Sequence, residues 1–391
     1  MKRRIDNNII IGDYYFIEDI LLTIFRFSTK SIKINKYDKT IFKLGCVSSY
    51  WNTVLHKFII MFLRYDSSDI IIKHFIELKN VNLKGDSRVT NNGIRYLTNI
   101  KTLDINHSRI GDDGIRDLTN IQTLIVNDII TNNGIKKLTN LTHLVIPSQA
   151  YHLITLDGIK HLTNINNLKI DLTVEGTNVS CEYDLKDYCI YHLTNIHTLE
   201  MTNNYVISDN GIKYLTNITD LSIYENYKIT DEGIKCLTKI TRLELSVVEF
   251  DNEKITNEGI RYLTNITDLK LYHEIEITDE GIRYLTNINK LVLVCNKTIT
   301  DEGIRYLTNI NELKICYNTK ITDEGIRYLT NITSLDLYSN STITNEGIRY
   351  LTNITKLDLC SNKIITDEGI KYLTNITNLK LYNSLITNKN I

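Results

Sequence analysis

The stretch Ile321–Ile332 reads "ITDEGIRYLTNI", and the same twelve letters stand at 277–288 and 299–310. The glycine of this stretch anchors a wider alignment through Gly93, Gly114, Gly134, Gly158, Gly211, Gly233, Gly259, Gly281, Gly303, Gly325, Gly347 and Gly369, with Cys189 in the same slot. From Gly259 to Gly369 the interval is an unbroken 22 residues. A fixed period of this size is the mark of a solenoid, in which each unit buries its apolar face only by stacking on its neighbours.

One unit, 322–343, divides into halves of different periodicity. Thr322 before "DEGIRYL" predicts an N-cap with acidic residues in the first turn. Ile326, Leu329 and Ile332 recur at every third position, the buried stripe of a short α or 3₁₀ turn. Gly325 predicts close packing of that turn, and Asn331 a left-handed stop. In "SLDLYSN" Leu335 and Leu337 alternate with Ser334, Asp336 and Tyr338, which predicts a strand with one buried face.

The pattern L-x-x-L-x-L-x-x-N, filled by Ile332, Leu335, Leu337 and Asn340 and followed by Ile343, resembles the leucine-rich repeat. The resemblance implies an α/β solenoid of about thirteen units over 79–391. It implies a curved parallel sheet on the concave face and short helices on the convex face. It further implies an asparagine ladder: Asn204, Asn226, Asn296, Asn318, Asn340 and Asn362, interrupted at Val248 and Glu274.

The residues flanking the strand leucines change from unit to unit while the rest stays nearly fixed. Candidate target-binding residues on the concave face are therefore Tyr224, Arg242, Glu244, Lys270, Tyr272, Lys290, Glu312, Lys314, Asp336, Tyr338, Lys356 and Asp358. Asp220, Asp268, Val292 and Cys316 belong to the same varied set. Mixed charge with spaced tyrosines suits protein recognition; free drift of solvated positions gives the same pattern. Insertions "PSQAYHLIT", "TVEGTNVSCEYDLKD" and "VVEFDNEK" each follow a strand and are expected on one rim.

Residues 1–78 lack the repeat. "FIEDILLTIF" (16–25) and "IFKLGCVSSYWNTVLHKF" (41–58) each place apolar residues on one helical face. This region resembles an F-box, through Phe16, Ile17, Ile20, Leu21, Ile24 and Phe25 in the first segment and Leu44, Val47 and Trp51 in the second. Ile17 stands where the F-box usually has proline, and the link between the segments is longer. The resemblance implies a small all-α domain that docks on a Skp1-type adaptor; a plain helical cap on the first repeat is the other reading. The order F-box then repeats is similar to F-box/leucine-rich-repeat proteins of giant DNA viruses. That likeness implies a substrate-recognition subunit of an SCF-type ubiquitin ligase, with an as yet unknown target protein.

The totals bound the remaining classes. A net charge of −1 with 23% charged and 42% hydrophobic residues suits a folded chain with no overall attraction to nucleic acid or membrane. Seven scattered cysteines without a C-x-x-C pair point to reduced thiols and no metal. Asp6, Asn7 and Asn8 interrupt any signal-type apolar core, so an intracellular location is expected. No phosphate-binding, dinucleotide-binding or zinc-protease motif occurs, so neither enzyme nor cofactor is expected. The tyrosines at 262, 284, 306, 328, 350 and 372 are expected to pack between helical turns.

Overall fold

The computed structural model describes residues 69, 79–83, 89–148, 150, 153–171, 187–246, 255–273, 275 and 277–387. The chain separates into two units, Met1–Tyr65 and Asp66–Ile391, and all described residues belong to the second. The F-box-like residues Phe16 to Trp51 lie outside the described residues. So do Val248, Glu274 and most of the three insertions.

Among the described residues, fourteen strands form one parallel sheet in strict chain order. They are β1 Asn80–Asn82, β2 Thr102–Asp104, β3 Thr123–Ile125, β4 His143–Ile146, β5 Asn167–Asp171, β6 Thr198–Asn204 and β7 Asp220–Asn226. Then come β8 Arg242–Ser246, β9 Asp268–Tyr272, β10 Lys290–Val294, β11 Glu312–Cys316, β12 Ser334–Asp336, β13 Lys356–Asp358 and β14 Asn378–Lys380. Register follows the repeat, so Leu291, Leu313, Leu335, Leu357 and Leu379 lie side by side. Each crossover carries a four-residue helical turn such as Asp323–Ile326. This is a leucine-rich-repeat solenoid.

The core is the apolar set the period predicts. Ile326, Leu329, Ile332, Leu337 and Ile343 are fully buried, and Leu335 is 1% exposed. Each such burial is worth about 1.5–3 kcal/mol, but it requires a neighbouring unit on both sides.

Polar bonds lock the units together. Thr322 is extended, with φ −118° and ψ −174°, and its hydroxyl accepts from Glu324 N–H as an N-cap. The same threonine donates its N–H and its hydroxyl to the two carboxylate oxygens of Asp301 in the preceding unit, both at 2.7 Å. Asp112, Asp209, Asp231, Asp279 and Asp323 do likewise for Thr131, Thr230, Thr256, Thr300 and Thr344. The first acid of each "DE" pair is thus a staple between units, a role beyond the helix-start charge that the sequence suggests. The second acid faces solvent, as in the Glu324–Arg327 ion pair at 2.7 Å.

Asn331 departs from its expected role. Among the described residues the non-glycine positions with positive φ are His107, Asn203, Glu225, His273, Cys295, Tyr317, Ser339, Ser361 and Asn383, at the ends of strands or in the turns that follow them. Asn331 instead donates its side-chain amide to the Thr308 carbonyl at 3.0 Å, and Asn309 and Asn353 repeat the bond. The amide has a free partner there because the last carbonyls of a short helical turn lack intrahelical donors.

The buried asparagine ladder is present at Asn204, Asn226, Asn296, Asn318, Asn340 and Asn362, and Asn127 extends it. Asn340 accepts from Ile343 N–H at 2.9 Å and donates toward the Asn318 carbonyl at 3.4 Å.

Candidate protein-binding face

Alternation along each strand turns one set of side chains away from the core. In β7 Leu221 and Ile223 are buried, while Asp220, Ser222 and Tyr224 are half-buried on the other face. The parallel register aligns these outward residues in rows across the sheet. One row runs Asp220, Arg242, Asp268, Lys290, Glu312, Ser334, Lys356 and Asn378. The next runs Ser222, Glu244, Lys270, Val292, Lys314, Asp336, Asp358 and Lys380. A third brings Tyr224, Ser246, Tyr272, Val294 and Cys316 together. Tyr338 follows β12 and meets Tyr317 edge to face at 5.4 Å. All twelve sequence-predicted face residues therefore fall on or beside one surface.

Most charges on this surface are paired along the rows. Lys270 meets Glu244 at 2.7 Å, Lys290 meets Glu312 at 2.7 Å, Lys314 meets Asp336 at 2.9 Å and Lys380 meets Asp358 at 3.2 Å. Arg242 pairs with Asp220. Glu244 is a hub. Burial raises the pKa of Tyr224, and a hydrogen bond to Glu244 together with its charge raises it further. The Tyr272 phenol is raised by burial, then by Glu244. Burial opposes the charge on Lys270, yet its bond to Glu244 prevails and its pKa rises.

Two further groups bear the marks of burial. The Cys316 thiol is pushed up to about 12 by burial and by the adjacent Asp336 carboxylate. Burial also raises Asp268, against the pull of Lys270 and Lys290. Its Oδ1 is the one buried side-chain polar atom without a hydrogen-bond partner among the described residues. Val292, outward in register, is only 3% exposed. Sequence reading placed Asp268 and Val292 in the varied outward set without counting them among the twelve candidates, and it did not name Lys380. Their signal was the 22-residue interval, which sets which side chains share a row.

A hollow of about 150 Å³ lies among Lys314, Asp336, Lys356, Asp358 and Lys380. Small-molecule sites span about 300–1,000 Å³, so this one accommodates a single side chain of a partner. Among the described residues no group of three or more His, Cys, Asp or Glu side chains could hold a metal ion. None of the described helices is long and apolar enough to cross a membrane.

The opposite side carries the tyrosine stripe. Tyr262, Tyr284, Tyr306, Tyr328 and Tyr350 are 47–57% exposed, so about half of each is covered. Each lies under the preceding arginine, at 4.8–5.9 Å from ring to guanidinium, and Arg349 also reaches Tyr372 of the next unit at 5.7 Å. Those arginines are neutralised by glutamates three residues earlier, as in Arg305–Glu302 at 2.8 Å and Arg349–Glu346 at 2.6 Å. A stripe so balanced has no net attraction for phosphates.

Comparison with known proteins bears on the fold. A family model described as "Leucine Rich repeat" matches residues 96–118, 284–307, 328–352 and 350–373. No curated protein sequence matches the chain. An internalin (InlF) from Listeria monocytogenes is 22% identical over 78% of this chain and 85% of its own, with a TM-score of 0.53. TLR13, solved in complex with ssRNA13, is 19% identical with a TM-score of 0.55; the match covers 78% of this chain and 46% of that one. The Toll–Spatzle complex of Drosophila gives 13% identity and a TM-score of 0.50, over 79% of this chain and 46% of that one. The chain thus spans less than half of the TLR13 and Toll chains. At these identities the likeness is one of fold, and the repeats of this chain are leucine-rich repeats.

Proposed function

We propose that this chain is a protein-interaction adaptor that holds a target protein on the outward, concave face of its sheet. The observation that carries the reading is a division within each unit. Core, staple and tyrosine positions are nearly invariant, whereas the aligned outward rows differ between most neighbouring strands. Free drift of solvated positions would vary every exposed face, yet the exposed tyrosine stripe stays the same in successive units while the sheet face changes. That face combines half-buried tyrosines with charges, the composition of protein contact surfaces. Its hollow takes a side chain, not a metabolite, which favours binding over catalysis.

The finer reading is a substrate-recognition subunit of an SCF-type (cullin–RING) ubiquitin ligase. Residues 1–78 form its F-box-like domain and engage a Skp1-type adaptor, while 79–391 capture the target. The support is the apolar pattern of Phe16, Ile20, Leu21, Ile24, Leu44, Val47 and Trp51. The test is co-purification of the full chain with a Skp1-type protein, repeated with Leu21→Asp and with Trp51→Ala. Wild-type capture that both substitutions abolish is the expected result. Absence of wild-type capture, or capture indifferent to both changes, leaves a leucine-rich-repeat scaffold without a ligase link. Target capture is tested separately by replacing Tyr272, Asp336 and Tyr338 together with alanine, which should abolish binding while the circular dichroism spectrum stays unchanged.

A further inference from the structure

The sheet face neutralises itself almost completely, and the exceptions are informative. On β7–β14 five ion pairs join neighbouring strands: Asp220–Arg242, Glu244–Lys270, Lys290–Glu312, Lys314–Asp336 and Asp358–Lys380. Two charges on this face are left over. Asp268 lies in register between Arg242 and Lys290, but Arg242 turns to Asp220 and Lys290 to Glu312. Among the described residues it has no ion-pair partner, and its Oδ1 is buried without a hydrogen-bond donor. Lys356 lies between Ser334 and Asn378, which offer no charge, and it is exposed and in no ion pair.

We propose that the sheet face selects a protein segment carrying one basic and one acidic side chain, the basic one seated on Asp268 and the acidic one on Lys356. The proposal rests on the reading of this face as the target site and adds the chemistry of the target. Asp268 stands on β9 and Lys356 on β13, four strand steps apart. At about 4.8 Å per step the two charges are about 19 Å apart. An extended segment lying along the array advances about 3.3 Å per residue, so its two charges stand about six residues apart, and its direction is fixed by their order. The paired charges between them give little net pull on a partner, because each already has a counter-ion. They do exclude segments that bring uncompensated charge against them.

The energetics favour these two sites over the rest of the face. A half-buried carboxylate without a donor already bears its desolvation cost in the free protein. An incoming guanidinium relieves that cost instead of adding to it. The raised pKa of Asp268, set by burial against Arg242, Lys270 and Lys290 with Glu312 opposing them, is consistent with a carboxylate short of partners.

The experiment is selection of a phage-displayed random-peptide library on the intact chain, with affinities of the enriched peptides measured by fluorescence anisotropy. Enriched sequences should share a Lys or Arg and an Asp or Glu about six residues apart. Asp268→Asn should weaken their binding about tenfold and Lys356→Gln similarly, and selection on each variant should lose the matching charge. The Tyr272/Asp336/Tyr338 alanine variant should bind none of them. If enriched peptides lack the charge pair, or if both single variants bind as wild type while the triple variant does not, the charge rule is overturned and the target face stands. If nothing is enriched, or if the triple variant binds as wild type, the target face itself is overturned.

Discussion

The staple between units makes a quantitative prediction at Asp301. Replacing it with alanine removes the carboxylate that accepts two hydrogen bonds from Thr322, each 2.7 Å long. Hydrogen bonds to charged groups contribute about 1.5–3 kcal/mol each. The site is half-buried, so the lower end applies and Asp301→Ala should cost about 3 kcal/mol. Asp301→Asn should be milder, because the array already shows what asparagine does there. Asn257 accepts from Thr278 N–H at 2.9 Å and donates its amide to the Thr278 hydroxyl at 2.9 Å. The cost is the N-cap: Thr278, and likewise Thr366 opposite Asn345, makes no capping bond with its side chain. Loss of a cap and of charge assistance amounts to about 1 kcal/mol. Gly325 is coupled to the same staple. A Cβ there would lie 2.3 Å from Asp301 Oδ1 and 3.0 Å from its Cγ, which expels the carboxylate from both bonds. Gly325→Ala should therefore cost about as much as Asp301→Ala, and the double variant should fall short of additivity by about 2 kcal/mol. The chain contains its own precedent: the unit with Cys189 in the glycine slot follows the unit with Leu156 in the staple slot. Urea unfolding followed by circular dichroism, with hydrogen exchange at the Thr322 amide, reads these costs. A neutral Gly325→Ala, or strict additivity with Asp301→Ala, would refute the coupling.

Four further outcomes follow. Asn340→Ala strands the buried Ile343 N–H and should cost about 2–3 kcal/mol in the same unfolding assay; a loss below about 0.5 kcal/mol would count against the ladder. The Cys316 thiol is held up to about 12 from a usual 9.0, so the folded state keeps a proton that the unfolded chain releases. Its contribution to stability is complete below pH 9 and is lost between about 9 and 12, and Cys316→Ala should flatten that alkaline slope. In the folded protein at pH 8, iodoacetamide should modify exposed Cys236 and leave buried Cys189 and Cys316 unmodified, as mass spectrometry will show. Asp268 is raised by burial, so its ionisation lowers stability as pH rises through the carboxylate range. Asp268→Asn should raise the unfolding midpoint at neutral pH and not at pH 3; an unchanged neutral-pH midpoint would contradict an unsatisfied carboxylate.

How much of this was legible in the sequence depended on whether a feature repeats. Leu335, Leu337 and Asn340 could be placed because each has a counterpart 22 residues away, so strand, core face and ladder all followed from the period. The ion pairs were within reach too, since Lys290 and Glu312 differ by one period and parallel register brings them side by side. The first-turn acids are helix-start charges as the sequence suggests, but their second role as staples was not legible, because a periodic acid looks the same whether it answers its own turn alone or the next unit as well. Asp69 escaped notice for the opposite reason. It accepts from Thr90 N–H at 2.8 Å, in the manner of the staples, but Ile71 stands where the repeat glycine would be. An alignment on glycine therefore passes over it. The isolation of Asp268 was beyond the sequence, because it depends on which way Arg242 and Lys290 turn.

Those rotamer choices connect the frame to binding. Burial and then the Glu244 carboxylate raise the phenol pKa of both Tyr224 and Tyr272, which lie in the same row on either side of β8. Both side chains are half-buried, so part of the entropy of ordering them is spent during folding. The Arg–Tyr stack on the opposite side is equally ordered but the same in successive units, so it offers no position at which one segment fits better than its neighbour shifted by one unit. A partner sliding along it would meet the same surface every 22 residues. The sheet face lacks this degeneracy. Its tyrosines occur at particular strands, its hollow lies at β11–β14, and its two unpaired charges stand at β9 and β13. Only a face with such fixed exceptions can define the register of a bound segment, and register is what separates recognition of one target from adhesion to many.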